Sequence, residues 1–213
     1  MTSHRIAVLG AGVVGVSLAR RFVELGHDVL FGARDVASDK VVAALETVPG
    51  STAASLADAV ADADLAVVAV PFAAVDDVIV AIGDPGHAII VDATNTVGAA
   101  LPDGVDHIAE LIHRTHPDAA VVKAFNTIGA EAFLEPVAGG QRFFLPIAGP
   151  APAADTVRSL AESMGFDALV VGDIDTAGLL EDFARLWIHL AFRSGLGRDF
   201  GFVRVARGVA DGV

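Results

Sequence analysis

Gly10, Gly12 and Gly15 stand in the spacing G-x-G-x-x-G within Arg5-Ile-Ala-Val-Leu-Gly10-Ala-Gly12-Val-Val-Gly15. Glycines so spaced allow a tight turn, admit an anion against backbone amides and bring a helix close to a strand. The chemistry they serve is the holding of a pyrophosphate at a helix N-terminus, where unpaired N–H groups meet the positive end of the helix dipole. The pattern alone is weak and depends on its context. Here the apolar run Ile6 to Leu9 enters the loop, and Val13 to Leu25 leaves it as a helix closed by Gly26. A tight strand–helix turn without a ligand is the plainer alternative; the complete βα context favours a nucleotide.

The end of the second strand discriminates between nucleotides. An acid there accepts from a ribose 2′-OH, whereas a cation binds a 2′-phosphate. The residues are Phe31-Gly32-Ala33-Arg34-Asp35. Gly32-Ala33 leaves room for a phosphate, and Arg34 supplies a forked, permanently charged partner. Asp35 lies within one or two residues of the position of a ribose acid. A surface Arg34–Asp35 pair without function is a third reading. The absence of an acid at the strand tip favours NADP.

Ligands of open α/β sheets sit beyond the carboxyl ends of the strands. Three such ends carry distinctive residues: Val70-Pro71-Phe72, Asp92-Ala-Thr94-Asn95-Thr96 and Lys123-Ala124-Phe125-Asn126-Thr127. The first is expected beside the pyrophosphate and ribose. The two Asn-Thr pairs suit a carboxamide, because Asn and Thr both donate and accept. Helix capping is the competing role for the same residues. No catalytic residue is identified. His113 and His116 are spaced by three but lack an acidic cluster, so no metal site is expected. With no tyrosine in the chain, a Tyr-x-x-x-Lys relay is impossible. Hydride transfer needs two carbons held close and no covalent chemistry from the protein, so a thin inventory suits it.

The elements that must position these residues alternate between apolar strands and amphipathic helices. Strands are predicted at 5–9, 28–32, 65–70, 88–92, 120–125, 143–148 and 168–171. Helices are predicted at 13–25, 37–46, 55–61, 73–82, 107–115, 128–134, 153–164 and 176–196. Continuous apolar runs such as Leu65-Ala-Val-Val-Ala-Val70 imply strands buried on both faces of a parallel sheet. The fold class is therefore α/β: a Rossmann-type, doubly wound, mostly parallel sheet with a C-terminal helical segment. One NADP-binding domain is expected over 1–213, with 175–213 as a helix and tail completing the site or a dimer interface. The stripe Leu179, Leu180, Phe183, Leu186, Trp187, Leu190 reads as core or subunit contact. Gly195, Gly197, Gly201 and Gly208 then predict a loop or loose end.

The chain has 213 residues, no cysteine, and a formal net charge of −13. Disulfides, thiolate metal sites and a cysteine nucleophile are excluded. The charge argues against nucleic acid and anionic membrane as partners. No apolar run is long enough for a membrane span, and no room precedes the first strand for a signal peptide, so a cytoplasmic location is expected.

Gly10-Ala-Gly-Val-Val-Gly15, Gly26-His27-Asp28-Val29, Gly32-Ala-Arg34, Val70-Pro71-Phe72 and especially Val122-Lys-Ala-Phe-Asn-Thr-Ile128 resemble the NADPH-dependent coenzyme F420 reductase family, and the reductase domain of the STEAP metalloreductases. The resemblance implies a Rossmann fold, usually a homodimer, in which hydride passes between NADPH and the deazaflavin F420, or a flavin. By position it implies Gly12, Val13 and Val14 at the pyrophosphate and Arg34 at the 2′-phosphate. It further implies Val70, Pro71 and Phe72 on the adenosine-ribose and diphosphate side, and Ala124, Asn126 and Thr127 near the nicotinamide. Archaeal members carry His-Thr-Ile-Pro where this chain has Asn126-Thr-Ile-Gly129, which leaves the acceptor more open than the nucleotide. An NADP(H) sensor or redox-partner module without turnover, and a small-substrate reductase, are the alternatives. The tail arginines Arg193, Arg198, Arg204 and Arg207 are expected either to hold the anionic end of a cofactor or to form a solvated, mobile tail or a set of salt bridges between subunits.

Overall fold

The computed structural model describes residues 3–96 and 100–205. Its strands are β1 (Arg5–Leu9), β2 (Asp28–Ala33), β3 (Thr52–Ser55), β4 (Leu65–Val68), β5 (Ile89–Asp92), β6 (Val121–Lys123), β7 (Val137–Ala138), β8 (Gln141–Arg142), β9 (Phe144–Ala148) and β10 (Asp167–Gly172). Its helices are α1 (Val13–Glu24), α2 (Asp39–Thr47), α3 (Leu56–Ala61), α4 (Val75–Ala81), α5 (Ile108–Thr115), α6 (Ala153–Met164) and α7 (Ala177–Phe192). Strands β3-β2-β1-β4-β5-β6 run parallel in that order, the Rossmann arrangement. β9 joins β6 antiparallel and β10 follows β9 in parallel, extending the sheet to eight strands.

β1 shows how the apolar run builds the sheet. Ile6 and Val8 enter one core with Leu18 and Phe22 of α1, while Ala7 and Leu9 enter the other with α3 and α4. A strand buried on both faces requires apolar residues at every position. On α1, the buried Gly15, Leu18, Ala19 and Phe22 recur at helical spacing and form the face that meets the sheet.

Four elements differ from expectation. β3 was not predicted: Thr-Ala-Ala-Ser is short and weakly apolar, and it pairs only with β2 at the sheet edge. The helix expected over 128–134 is one 3₁₀ turn, Ala130–Phe133. Gly139-Gly140, both at positive φ, join β7 and β8 in a two-residue hairpin.

The terminal stripe divides between interior and surface. The ring of Trp187 stacks on Phe200 at 5.3 Å and Phe183 meets Phe202 at 4.7 Å. Trp187 Nε1 donates to the Phe200 carbonyl, and the Phe144 N–H donates to that of Phe202. Thus the tail is a loop anchored at Phe200 and Phe202, while Val203 and Val205 stay exposed. Gly201 permits this, since a Cβ there would stand 2.5 Å from the Phe143 ring. Leu179 and Leu186 are the parts of the stripe left exposed. Among the described residues no helix is long and apolar enough to cross a membrane.

Just before β2, His27 is buried against Phe22 and accepts a hydrogen bond at Nδ1 from the His4 N–H, 3.1 Å away. Burial, and secondarily the neighbouring His4, hold its pKa below the ordinary 6.5. The sign follows from linkage. The unfolded chain takes up the proton first, so stability is complete above 6.5 and is lost as pH falls toward the lowered folded value. Urea midpoints at about pH 7.5 and about pH 5.5 should therefore drop more for wild type than for His27→Gln. Equal drops would remove His27 as the cause.

Candidate functional site

A cleft of about 570 Å³ opens at the carboxyl ends of β1, β2 and β4, where the strand order reverses. Gly10 to Val13 form its floor. Gly32 to Asp35, with Ser38 and Lys40, form one wall; Ala69 to Pro71, with Ala74 and Val78, form the other. Gly10 has φ +128°, and a Cβ there would stand 2.5 Å from the Ala69 carbonyl oxygen. A Cβ on Gly15 would run into the carbonyl of Gly10. These two glycines answer to the packing of the chain on itself. Gly12 is different: it is the N-cap of α1, and a Cβ there would meet nothing within 4 Å. No side chain caps the α1 N-terminus, which leaves its first amides to a ligand.

Arg34 and Asp35 separate. Asp35 Oδ1 accepts from the Ala37 N–H at 2.9 Å, closing its own turn. Arg34 reaches to Asp77 at the start of α4, with Nη1 to Oδ2 at 3.2 Å and both side chains exposed. The surface pair considered from the sequence is thus Arg34–Asp77, not Arg34–Asp35. Lys40 also lines the cleft, so two cations stand at one end of it. The sequence reading did not assign Lys40. Its distance from the motif concealed it, although it is one of only two lysines in the chain. Gly32 owes its small size to Leu9, whose Cδ2 would lie 2.5 Å from a Cβ.

Of the expected site residues, Gly10, Gly12, Val13, Arg34, Val70 and Pro71 line this cleft. Val14 and Phe72 are partly buried and pack against the cores, and Gly15 lies within the α1–β1 contact. Asn95, Ala124, Asn126 and Thr127 form a second group, at the ends of β5 and β6. Asn95 Nδ2 donates to the Asn126 carbonyl at 2.9 Å. Asn126 Nδ2 returns a bond to Asn95 Oδ1 at 3.1 Å and donates to the Leu180 carbonyl of α7. Asn126 Oδ1 and Thr127 Oγ1 are buried without a partner among the described residues. Neither Asn126 nor Thr127 begins an α-helix; only the short 3₁₀ turn follows, so capping does not account for them. Phe125, immediately before them, holds φ at +64°, a strained value for a residue with a side chain, and its ring is anchored among Phe22 and Phe133.

Beneath this group lies a buried ionic cluster that the sequence did not disclose. Lys123 Nζ donates to Asp92 Oδ2 at 2.8 Å, to the Thr94 carbonyl at 2.8 Å and to Glu181 Oε1 at 3.2 Å. Asp92 Oδ1 accepts from the N–H and Oγ1 of Thr94. Glu181 also accepts from Thr96 Oγ1 and the Ile108 N–H. Burial pushes the Glu181 pKa up, but the Lys123 charge and these donors outweigh it, and the net direction is down. Glu181 points inward from the terminal helix, where it is the second carboxylate against Lys123.

Two of the tail arginines are engaged in salt bridges within the chain. Arg198 pairs with Glu131 at 3.0 Å, and Arg204 with Asp167 at 2.8 Å. Arg207 lies outside the described residues.

The residues present fit a dinucleotide. The cleft sits at the sheet's switch point, Gly12 leaves the α1 amides open, and two cations, Arg34 and Lys40, line the cleft. The fold and site define a Rossmann-type dinucleotide-binding oxidoreductase. More particularly, the chain belongs to the family of NADP oxidoreductases that are coenzyme F420-dependent, whose model matches residues 5–96. The F420-dependent NADP reductase of Methanothermobacter thermautotrophicus is 29% identical over 89% of this chain and 90% of its own. A crystal structure of a candidate F420-dependent NADP reductase from Arthrobacter sp. FB24 is 32% identical, with a TM-score of 0.83, over 95% of this chain and all of that one. A reductive aminase from Aspergillus terreus, in complex with NADPH and ethyl-5-oxohexanoate, shares the fold at 21% identity and a TM-score of 0.67. This chain spans 64% of that enzyme. The protein is thus an NADP-dependent oxidoreductase.

Proposed function

We propose that the protein transfers hydride between NADPH and coenzyme F420. Arg34 and Lys40 hold the 2′-phosphate, and the first amides of α1, at Gly12 and Val13, receive the pyrophosphate. Val70 and Pro71 line the ribose side. The buried Asn126 Oδ1 and Thr127 Oγ1, which lack partners in the chain, offer an acceptor and a donor to a carboxamide. Bound NADPH supplies a hydride, two electrons with one proton, and the acceptor ring takes its second proton from water. The protein's own part is to hold two rings face to face and exclude water between them.

The observation that carries this reading is the full-length likeness to two proteins described as F420-dependent NADP reductases, joined to a cleft whose cations suit a 2′-phosphate. The test follows NADPH absorbance with F420, FMN or FAD as acceptor. Oxidation of NADPH with F420, faster than with either flavin, is the expected result. Oxidation with a flavin alone would move the acceptor to that flavin. Binding of NADPH without turnover would leave the sensor reading in its place.

A further inference from the structure

Asp92 and Lys123 are register partners at the ends of adjacent parallel strands. Each is followed three residues later by an asparagine, in Asp92-Ala-Thr-Asn95-Thr96 and Lys123-Ala-Phe-Asn126-Thr127. The two strand ends therefore pair twice: an ion pair where the strands stop, then the reciprocal Asn95–Asn126 amide pair. Glu181 of α7 adds a second carboxylate to the same ammonium, and the preceding residue, Leu180, accepts from Asn126. One ammonium thus faces two carboxylates. Exposure is 0% for Asp92 and Lys123 and 3% for Glu181. The remaining carboxylate bonds come from Thr94, Thr96 and the Ile108 amide, all neutral donors. The cluster carries one surplus negative charge, buried where water and salt screen it little.

We propose that this surplus charge biases the redox balance of the nucleotide bound at the Asn95–Asn126 pair. The oxidised nicotinamide ring is positively charged and the reduced ring is neutral. A fixed negative charge nearby stabilises the first relative to the second, so bound NADPH becomes a stronger hydride donor. Asp92 and Glu181 act through the field, without touching the ring. The inference rests on the reading that the nicotinamide lies at the ends of β5 and β6.

The test is the pair of dissociation constants for NADP⁺ and NADPH, measured by calorimetry on wild type, Asp92→Asn and Glu181→Gln. Each variant removes the surplus charge yet leaves Lys123 paired with the remaining carboxylate, so the fold is kept. Both should raise the NADP⁺ constant relative to that of NADPH by roughly fivefold. Asp182→Asn removes the same charge from the exposed face of α7 and should leave the ratio unchanged. A purely positional role for the cluster would move both constants together, and a ratio within about twofold of wild type in both buried variants overturns the proposal. Failure of either nucleotide to bind wild type would overturn the nucleotide reading along with it.

Discussion

Replacing Lys123 by methionine should lower the stability of the fold by about 3–5 kcal/mol. Methionine has a similar length, so little volume is lost; what remains is the pair Asp92 and Glu181, two carboxylates buried together without a cation. Breaking a buried ion pair from one side leaves an uncompensated charge in a medium that solvates it poorly. One carboxylate must then take up a proton or the site must open to water. Opening would release α7 from β5 and β6, because Lys123 is the ammonium that joins all three. Urea denaturation reads the effect directly. Glu181→Gln, which keeps one ion pair intact, should cost less. A loss below about 1 kcal/mol for Lys123→Met would mean that the cluster is open to solvent and contributes as a surface pair does.

Arg34→Ala should raise the dissociation constant for NADPH at least tenfold and leave that for NADH nearly unchanged. A charge-assisted phosphate contact is worth on the order of 1.5–3 kcal/mol. In the free protein Arg34 is paired with Asp77, but both side chains are exposed, and such a pair contributes less than about 1 kcal/mol. Exchanging Asp77 for a phosphate is therefore favourable. Removing Lys40 as well should bring the total loss to about a hundredfold, because the two cations line the same end of the cleft. Titration of both nucleotides distinguishes specificity from general damage. If NADPH and NADH weaken equally, Arg34 does not read the phosphate.

The nucleotide half of the site was legible because its requirements are local. Gly10, Gly12 and Gly15 lie within six residues, and their spacing is readable from the strand and helix that flank them in the sequence. The same holds for strands buried on both faces, whose apolar runs need no knowledge of their partners. Asn95 and Asn126 were legible as candidates for the other half, since polar residues at strand ends face ligand space. Their mutual bonding was not, because it depends on β5 and β6 being neighbours in register.

The ionic cluster shows the limit most clearly. Asp92 and Lys123 are 31 residues apart, and Lys123 and Glu181 are 58 apart. Nothing near Glu181 in the chain separates it from Asp182, an exposed acid on the same helix. Arg34 and Asp77, 43 residues apart, present the same difficulty. Phe200 and Phe202 likewise lie in a glycine-rich end of the sequence, and only the fold sets them against Trp187 and Phe183. Periodicity and turn chemistry act over a few residues, and they were enough to specify the βα order and the glycine turn between β1 and α1. Which charges are buried together, and which apolar residues are covered, depends on the strand order and on where α7 and the tail come to rest. Burial alone gives those charges their energy, and burial is a property of the assembled chain.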